Sequence, residues 1–332
     1  MYASAVARAS DRRHREAGPF IAEKATQNSH SLAHSREPPR GGSAEHCMIT
    51  DAEVRRLAGS ERVEPRIVEL DYALGWALRG IASHQYLARR LVFKGGTCIR
   101  KCYFPAYRFS EDLDFTATQR FNVEKLATAL TEAFAETRID SGIDFRVQEP
   151  RLRVIDDEYG RESIRFTVYW RGPHTLRGSP RGLRLDVTWN EVLAFSPRQR
   201  VLFHPFSDAA AVEDVRVPCY ALEEVMCEKI RAVLGQRIYA VSRDLYDIFS
   251  LLDSVDEAGV IAALPTKTDA RAVPDNGLAR LLGRQHEFRA HWQRDLVGLL
   301  PPGAERDFDQ VWETVSEYVG RVVDRAACGR SG

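Results

Sequence analysis

The run Asp112–Leu113–Asp114–Phe115 constrains this chain more than any other four residues in it. Acid and apolar residues alternate, and an extended strand sorts them onto two faces, because residues i and i+2 of a strand point the same way. Both carboxylates then project together, while Leu113 and Phe115 tie the opposite face into a core. Two carboxylates so placed repel each other unless a cation lies between them. Mg²⁺ is such a cation, commonly held by one or two carboxylates together with substrate phosphates. The plainer alternative is a solvated strand face.

The surroundings of the pair bear on that choice. Upstream, Leu91–Val92–Phe93 is a short apolar strand running into Lys94–Gly95–Gly96–Thr97, and Cys98–Tyr103 follows as a helix stopped near Pro105. A strand–Gly–Gly–Thr–helix turn leaves backbone N–H groups facing outward, and its small residues let phosphate oxygens approach closely. The same residues also make an ordinary turn. Downstream, residues 182–189 (GLRLDVTW) alternate as a strand with Leu183, Leu185 and Val187 on one face, which puts Asp186 on the polar face. A third acid can complete a metal cage and accept the proton of an attacking hydroxyl. Taken singly, Asp186 is equally an exposed strand acid.

Apolar residues recur at helical spacing from about residue 64 to 90 and again over 122–138, and alternating strand candidates fill 142–170. Beyond Val217 the pattern turns helical, over 221–235, 242–252, 277–299 and 305–326, with Pro265, Pro274, Pro301 and Pro302 placed in the connections. The expected architecture is α+β. It comprises a disordered extension over 1–47, a mixed-sheet core over 48–212 and a helical domain over 213–332. Met48 opens the first helical pattern and is a second candidate start beside Met1; an N-terminal mass of the native protein would decide between them.

Formal net charge is zero, so phosphate recognition has to come from local groups rather than from the overall field. No stretch approaches the roughly 20 apolar residues that span a bilayer, and no apolar segment marks a secretory signal, so a cytoplasmic protein is expected. The six cysteines show no metal-ligand spacing and read as free thiols. Arginine outnumbers lysine 41 to six, which is more simply codon bias than function. Each lysine is then a rarer choice. Lys229 and Arg237 can grip a triphosphate, although Lys229 is equally a surface lysine. Arg243 and Asp247 stand four apart on a helix and can simply pair.

Taken together, FKGGTCIRKCYFPAYRFSEDLDF (93–115), RLDVTWNE (184–191) and EKIRAVLGQRIYAVSRDLYDIF (228–249) resemble the AbiEii/AbiGii toxin family of nucleotidyltransferases, within the polymerase-β-like superfamily. The resemblance covers roughly residues 64–255. It implies Mg²⁺ or Mn²⁺ at Asp112 and Asp114, with Asp186 as third acid and Gly95, Gly96 and Thr97 as the phosphate turn. Lys229, Arg243, Asp244 and Asp247 match the family's later motifs. A nucleoside triphosphate is the implied substrate, and an RNA acceptor such as the tRNA 3′ end the implied partner. The setting would be toxin–antitoxin or phage defence, with a cognate antitoxin. Fourteen residues separate Thr97 from Asp112, a long spacing for the wider superfamily.

Rival classes are a nucleotidyltransferase acting on a protein or small molecule, a binding module whose catalysis has decayed, and a glycosyltransferase using an Asp-x-Asp pair. The Gly–Gly–Thr turn, the third acid and Lys229 favour the nucleotidyltransferase over the last.

Overall fold

The computed structural model describes residues 48–156, 162–189, 191–237 and 239–329; the extension expected to be disordered lies outside them. Helix α1 (Asp51–Glu61) starts where the Thr50 hydroxyl accepts the Glu53 N–H, with Asp51 and Glu53 in its first turn, both favourable to the positive end of a helix. Helix α2 (Pro65–Ser83) opens on a proline and is buried nearly all round, since it lies between the sheet on one side and α1 and later α5 on the other. Its buried acids are satisfied. Glu69 accepts the N–H groups of His174 and Thr175, and Asp71 is held by Arg100 and Lys101.

A short helix α3 (Gln85–Ala88) leads to strand β1 (Leu91–Lys94), which runs into the helical turn α4 (Gly95–Cys98) and a π-turn over Ile99–Tyr103. Strand β2 (Asp112–Ala117) returns antiparallel to β1. Helix α5 (Val123–Ser141) is capped by Asn122 and ends on Gly142 in the left-handed conformation. Strands β3 (Gln148–Asp156), β4 (Glu162–Trp170), β5 (Arg181–Thr188), β6 (Arg198–Val201) and β7 (Arg216–Cys219) complete a seven-stranded mixed sheet in the order β3-β4-β5-β2-β1-β7-β6.

The remaining chain is helical: α6 (Leu222–Arg231), α7 (Ser242–Leu251), α8 (Glu257–Asp269), α9 (Gly277–Leu282), α10 (Gln285–Leu296) and α11 (Phe308–Cys328). Two expectations fail here. Pro265 lies inside α8 rather than in a connection. Val260, Leu264 and Lys267 bury one face of that helix, and Asp256 caps its start, so tertiary packing overrides the breaker. The stretch 277–299 is not one helix but α9 and α10, divided at Gly283 and Arg284.

Two hydrophobic clusters fill the interior. The first joins α2, α5 and one face of the sheet, through residues such as Trp76, Phe134, Phe166 and Leu185. The second joins α6 to α11 and takes Val92, Ile99 and Tyr107 from the β1 region. Cys98, Cys102, Cys219 and Cys227 are buried free thiols and Cys328 is exposed. Among the described residues no helix is long and apolar enough to cross a membrane.

Candidate active site

Strand register brings the acids together. Asp114 of β2 stands opposite Lys94 of β1 on one side and Asp186 of β5 on the other, and Asp186 stands opposite Arg165 of β4. Four side chains from four strands thus make one row across the sheet, Lys94–Asp114–Asp186–Arg165. Asp112, two residues before Asp114, shares this face with Arg184 opposite it, their charged atoms 3.5 Å apart. The row lines a cleft of about 410 Å³ whose other wall comes from the segment 228–244.

Glycine is required at the base of the cleft. Gly95 has φ +78°, and a Cβ there would meet an Asp114 carboxylate oxygen at 2.6 Å. A Cβ on Gly96 would meet the Arg108 guanidinium at 2.5 Å. Thr97 points the other way. Its hydroxyl is buried and donates to the main-chain oxygen of Asp112, fixing the start of β2 against α4.

Burial, then the neighbouring charges of Asp112 and Asp186, push the Asp114 carboxyl up to about 7, against the pull of Lys94 and Lys229. A carboxylate crowded in this way accepts a divalent cation readily, and paired hard oxygens suit Mg²⁺ or Mn²⁺. The expected three-acid cage is not what the structure presents. Arg165 holds both oxygens of Asp186, at 2.8 and 2.7 Å, and no group of three His, Cys, Asp or Glu side chains among the described residues is arranged to hold a metal ion. Asp112 and Asp114 alone fit a metal that takes its remaining ligands from water and substrate.

The helical wall carries a chain of ion pairs. Lys229 donates to Asp244 at 2.6 Å and Asp247 at 2.8 Å; Arg108 holds both oxygens of Asp247, and Arg237 reaches Asp244 at 3.2 Å. Burial opposes the Lys229 charge, yet Asp244 and Asp247 outweigh it and raise its pKa. Asp247 is fully buried and also accepts the Tyr107 hydroxyl, so it reaches the cleft only through the cations it holds. Asp244 and Arg243 both line the cleft. Sequence reasoning did not single out Lys94, Arg108 or Arg165. It also missed a second buried network, in which Glu191 holds Arg231, Lys267 and Arg271 and is kept well below the usual carboxylate range, chiefly by Lys94 and Arg231 outweighing its burial. The one sequence signal for any of these was the scarcity of lysine: Lys94 and Lys267 are two of only six.

Among solved structures, one shares this architecture. The nucleotidyltransferase toxin MenT4 of Mycobacterium tuberculosis aligns with a TM-score of 0.52 and 21% identity, over 82% of this chain and 99% of that one. A protein of H. pylori described as a nucleotidyltransferase aligns at 0.49 and 15%, over 80% of this chain and 98% of its own. No curated protein sequence matches the chain. The family model described as "Nucleotidyl transferase AbiEii toxin, Type IV TA system" matches residues 76–314, a span that takes in the acid row, the glycine turn and the helical wall alike. With its mixed sheet, its paired acids and that match, the chain belongs to the AbiEii family of nucleotidyltransferase toxins of type IV toxin–antitoxin systems.

Proposed function

We propose that this cleft moves a nucleotide from a nucleoside triphosphate to a hydroxyl of RNA, with the tRNA 3′ end as the first candidate, and releases pyrophosphate. The observation that carries the reading is the gathering of Asp112 and Asp114 in one cleft with Lys94, on β1, and the cations of the helical wall. Asp112 and Asp114 would hold Mg²⁺ or Mn²⁺, which supplies charge neutralisation and orientation for an in-line displacement at phosphorus. The Gly95–Gly96 turn lines the cleft and offers its main chain to phosphate oxygens. Lys229 and Arg237, fixed in place by Asp244 and Asp247, offset the charge gathering on the departing pyrophosphate. Asp186, once released from Arg165, orients the acceptor hydroxyl and takes its proton. The attacking oxygen bonds to the α-phosphorus, the α–β bridging oxygen leaves with pyrophosphate, and the proton passes to Asp186. Membership of a type IV toxin–antitoxin family implies an antitoxin partner, and the cytoplasm, which holds both triphosphates and tRNA, is the proposed compartment.

The test supplies each of the four α-³²P-labelled triphosphates with Mg²⁺, total tRNA and cell lysate. Label is expected in RNA. Label in protein instead would refute the RNA acceptor while keeping the chemistry.

A further inference from the structure

The face of the sheet that carries the acids continues beyond them, across β5, β4 and β3, and its composition changes there. Register places Arg153 of β3 opposite Arg165 of β4, and Arg151 opposite Thr167, which in turn stands opposite Arg184 of β5. With the acids, two rows result: Arg153–Arg165–Asp186–Asp114–Lys94, and Arg151–Thr167–Arg184–Asp112. The opposite face of β4 and β5, including Ile164, Phe166, Val168, Leu183 and Leu185, is buried in the first cluster, while Leu152 and Val154 of β3 stay exposed. On the acid-bearing face, Arg151, Arg153 and Arg184 are exposed, and Arg165, Thr167 and Tyr169 are half-buried.

Four arginines therefore share one open surface, on the far side of the acids from Lys94 and the helical wall. The guanidinium fork matches phosphate geometry. Arg151 lies 5.7 Å from the centre of the Tyr169 ring, an arginine and an aromatic side by side. That pairing suits a nucleic-acid strand, whose backbone meets the cation and whose bases stack on the ring. The acids thus stand between two cationic regions. A metal-assisted transfer between two polyanions needs such an arrangement, with one region for each.

We propose that Arg151, Arg153, Arg165 and Arg184 form a track for the sugar–phosphate backbone of the acceptor RNA, and that the track leads its terminal hydroxyl to Asp186. This rests on the RNA reading of the cleft. On this track Arg165 exchanges Asp186 for an RNA phosphate, which frees the acid for the acceptor hydroxyl.

The test compares the full chain with Arg151→Ser/Arg153→Ser and Arg151→Lys/Arg153→Lys, measuring anisotropy of fluorescein-labelled total tRNA across a salt series. Unfolding curves confirm that each variant is folded. Removing two phosphate contacts should weaken binding about tenfold near ~100 mM salt and flatten the slope of log K against log[salt] by roughly 1.4 to 1.8. The lysine pair, which keeps both charges, should retain most of the affinity. If wild type binds tRNA and the serine pair binds it equally, with the same slope, the track is wrong and the RNA reading stands. If wild type binds no tRNA, both fall.

Discussion

Gly95 meets two demands at once, a left-handed backbone and the absence of any atom where the Asp114 carboxylate lies. Gly95→Ala should lower stability by about 2 kcal/mol from backbone strain alone, before the clash is counted, and urea unfolding would measure it. Asp247 belongs to the same scale. Burial would raise its pKa, but Arg108 and Lys229 outweigh burial and hold it well below the ordinary 3.8. A depressed carboxylate contributes stability that is fully present above its unfolded value and is lost as pH falls through the folded one. The wild type should therefore lose stability as pH drops below about 4. Asp247→Asn should be less stable at neutral pH by about 3–5 kcal/mol, because Arg108 and Lys229 are left buried without it, and should show a flatter acid limb in unfolding measured against pH. The acid pair was legible in the sequence because its two-residue period and its chemistry sit together in four positions. Arg108 was not. It meets Asp247 across 139 residues, and no local spacing announces such a contact.

Among elements, α8 shows where local propensity loses. Its thirteen residues hold a proline at position 265, yet the buried Val260, Leu264 and Lys267 and the pairing of Lys267 with Glu191 and Glu224 keep it helical. Pro265→Ala restores an N–H for the Ile261 carbonyl and removes a ring clash. The restored bond should outweigh the freedom gained by the unfolded chain and raise stability by about 1–2 kcal/mol, seen as a higher urea midpoint. The strands β2 and β5 were readable from alternation. Their parallel pairing was not, since residues 72 apart come into register only through the crossover formed by α5, β3 and β4. The long spacing from Thr97 to Asp112 has a simple content: it holds the π-turn and the loop that delivers Arg108 to Asp247. The edge strand β6 and its neighbour β7 escaped notice because four residues each, one of them Pro218, leave too short a pattern to read.

At the scale of the whole molecule, the two hydrophobic clusters meet across one charged cleft, with the sheet giving the acids and the helical part giving most of the cations. A triphosphate with Mg²⁺ that contacts both walls binds the folded chain alone, so it should raise the thermal midpoint, by about 2.7 kcal/mol of added stability at a hundredfold excess over Kd. Chelation with EDTA should remove most of that shift. The acid pair itself is tested most directly by substitution without loss of fold. The measurement is incorporation of α-³²P-labelled nucleotide into acceptor by wild type and by Asp112→Asn, alongside their unfolding midpoints. The expected result is a fall in transfer of about 10³-fold or more with a closely similar midpoint. Transfer by Asp112→Asn at the wild-type rate would contradict the assignment of this carboxylate to the reaction.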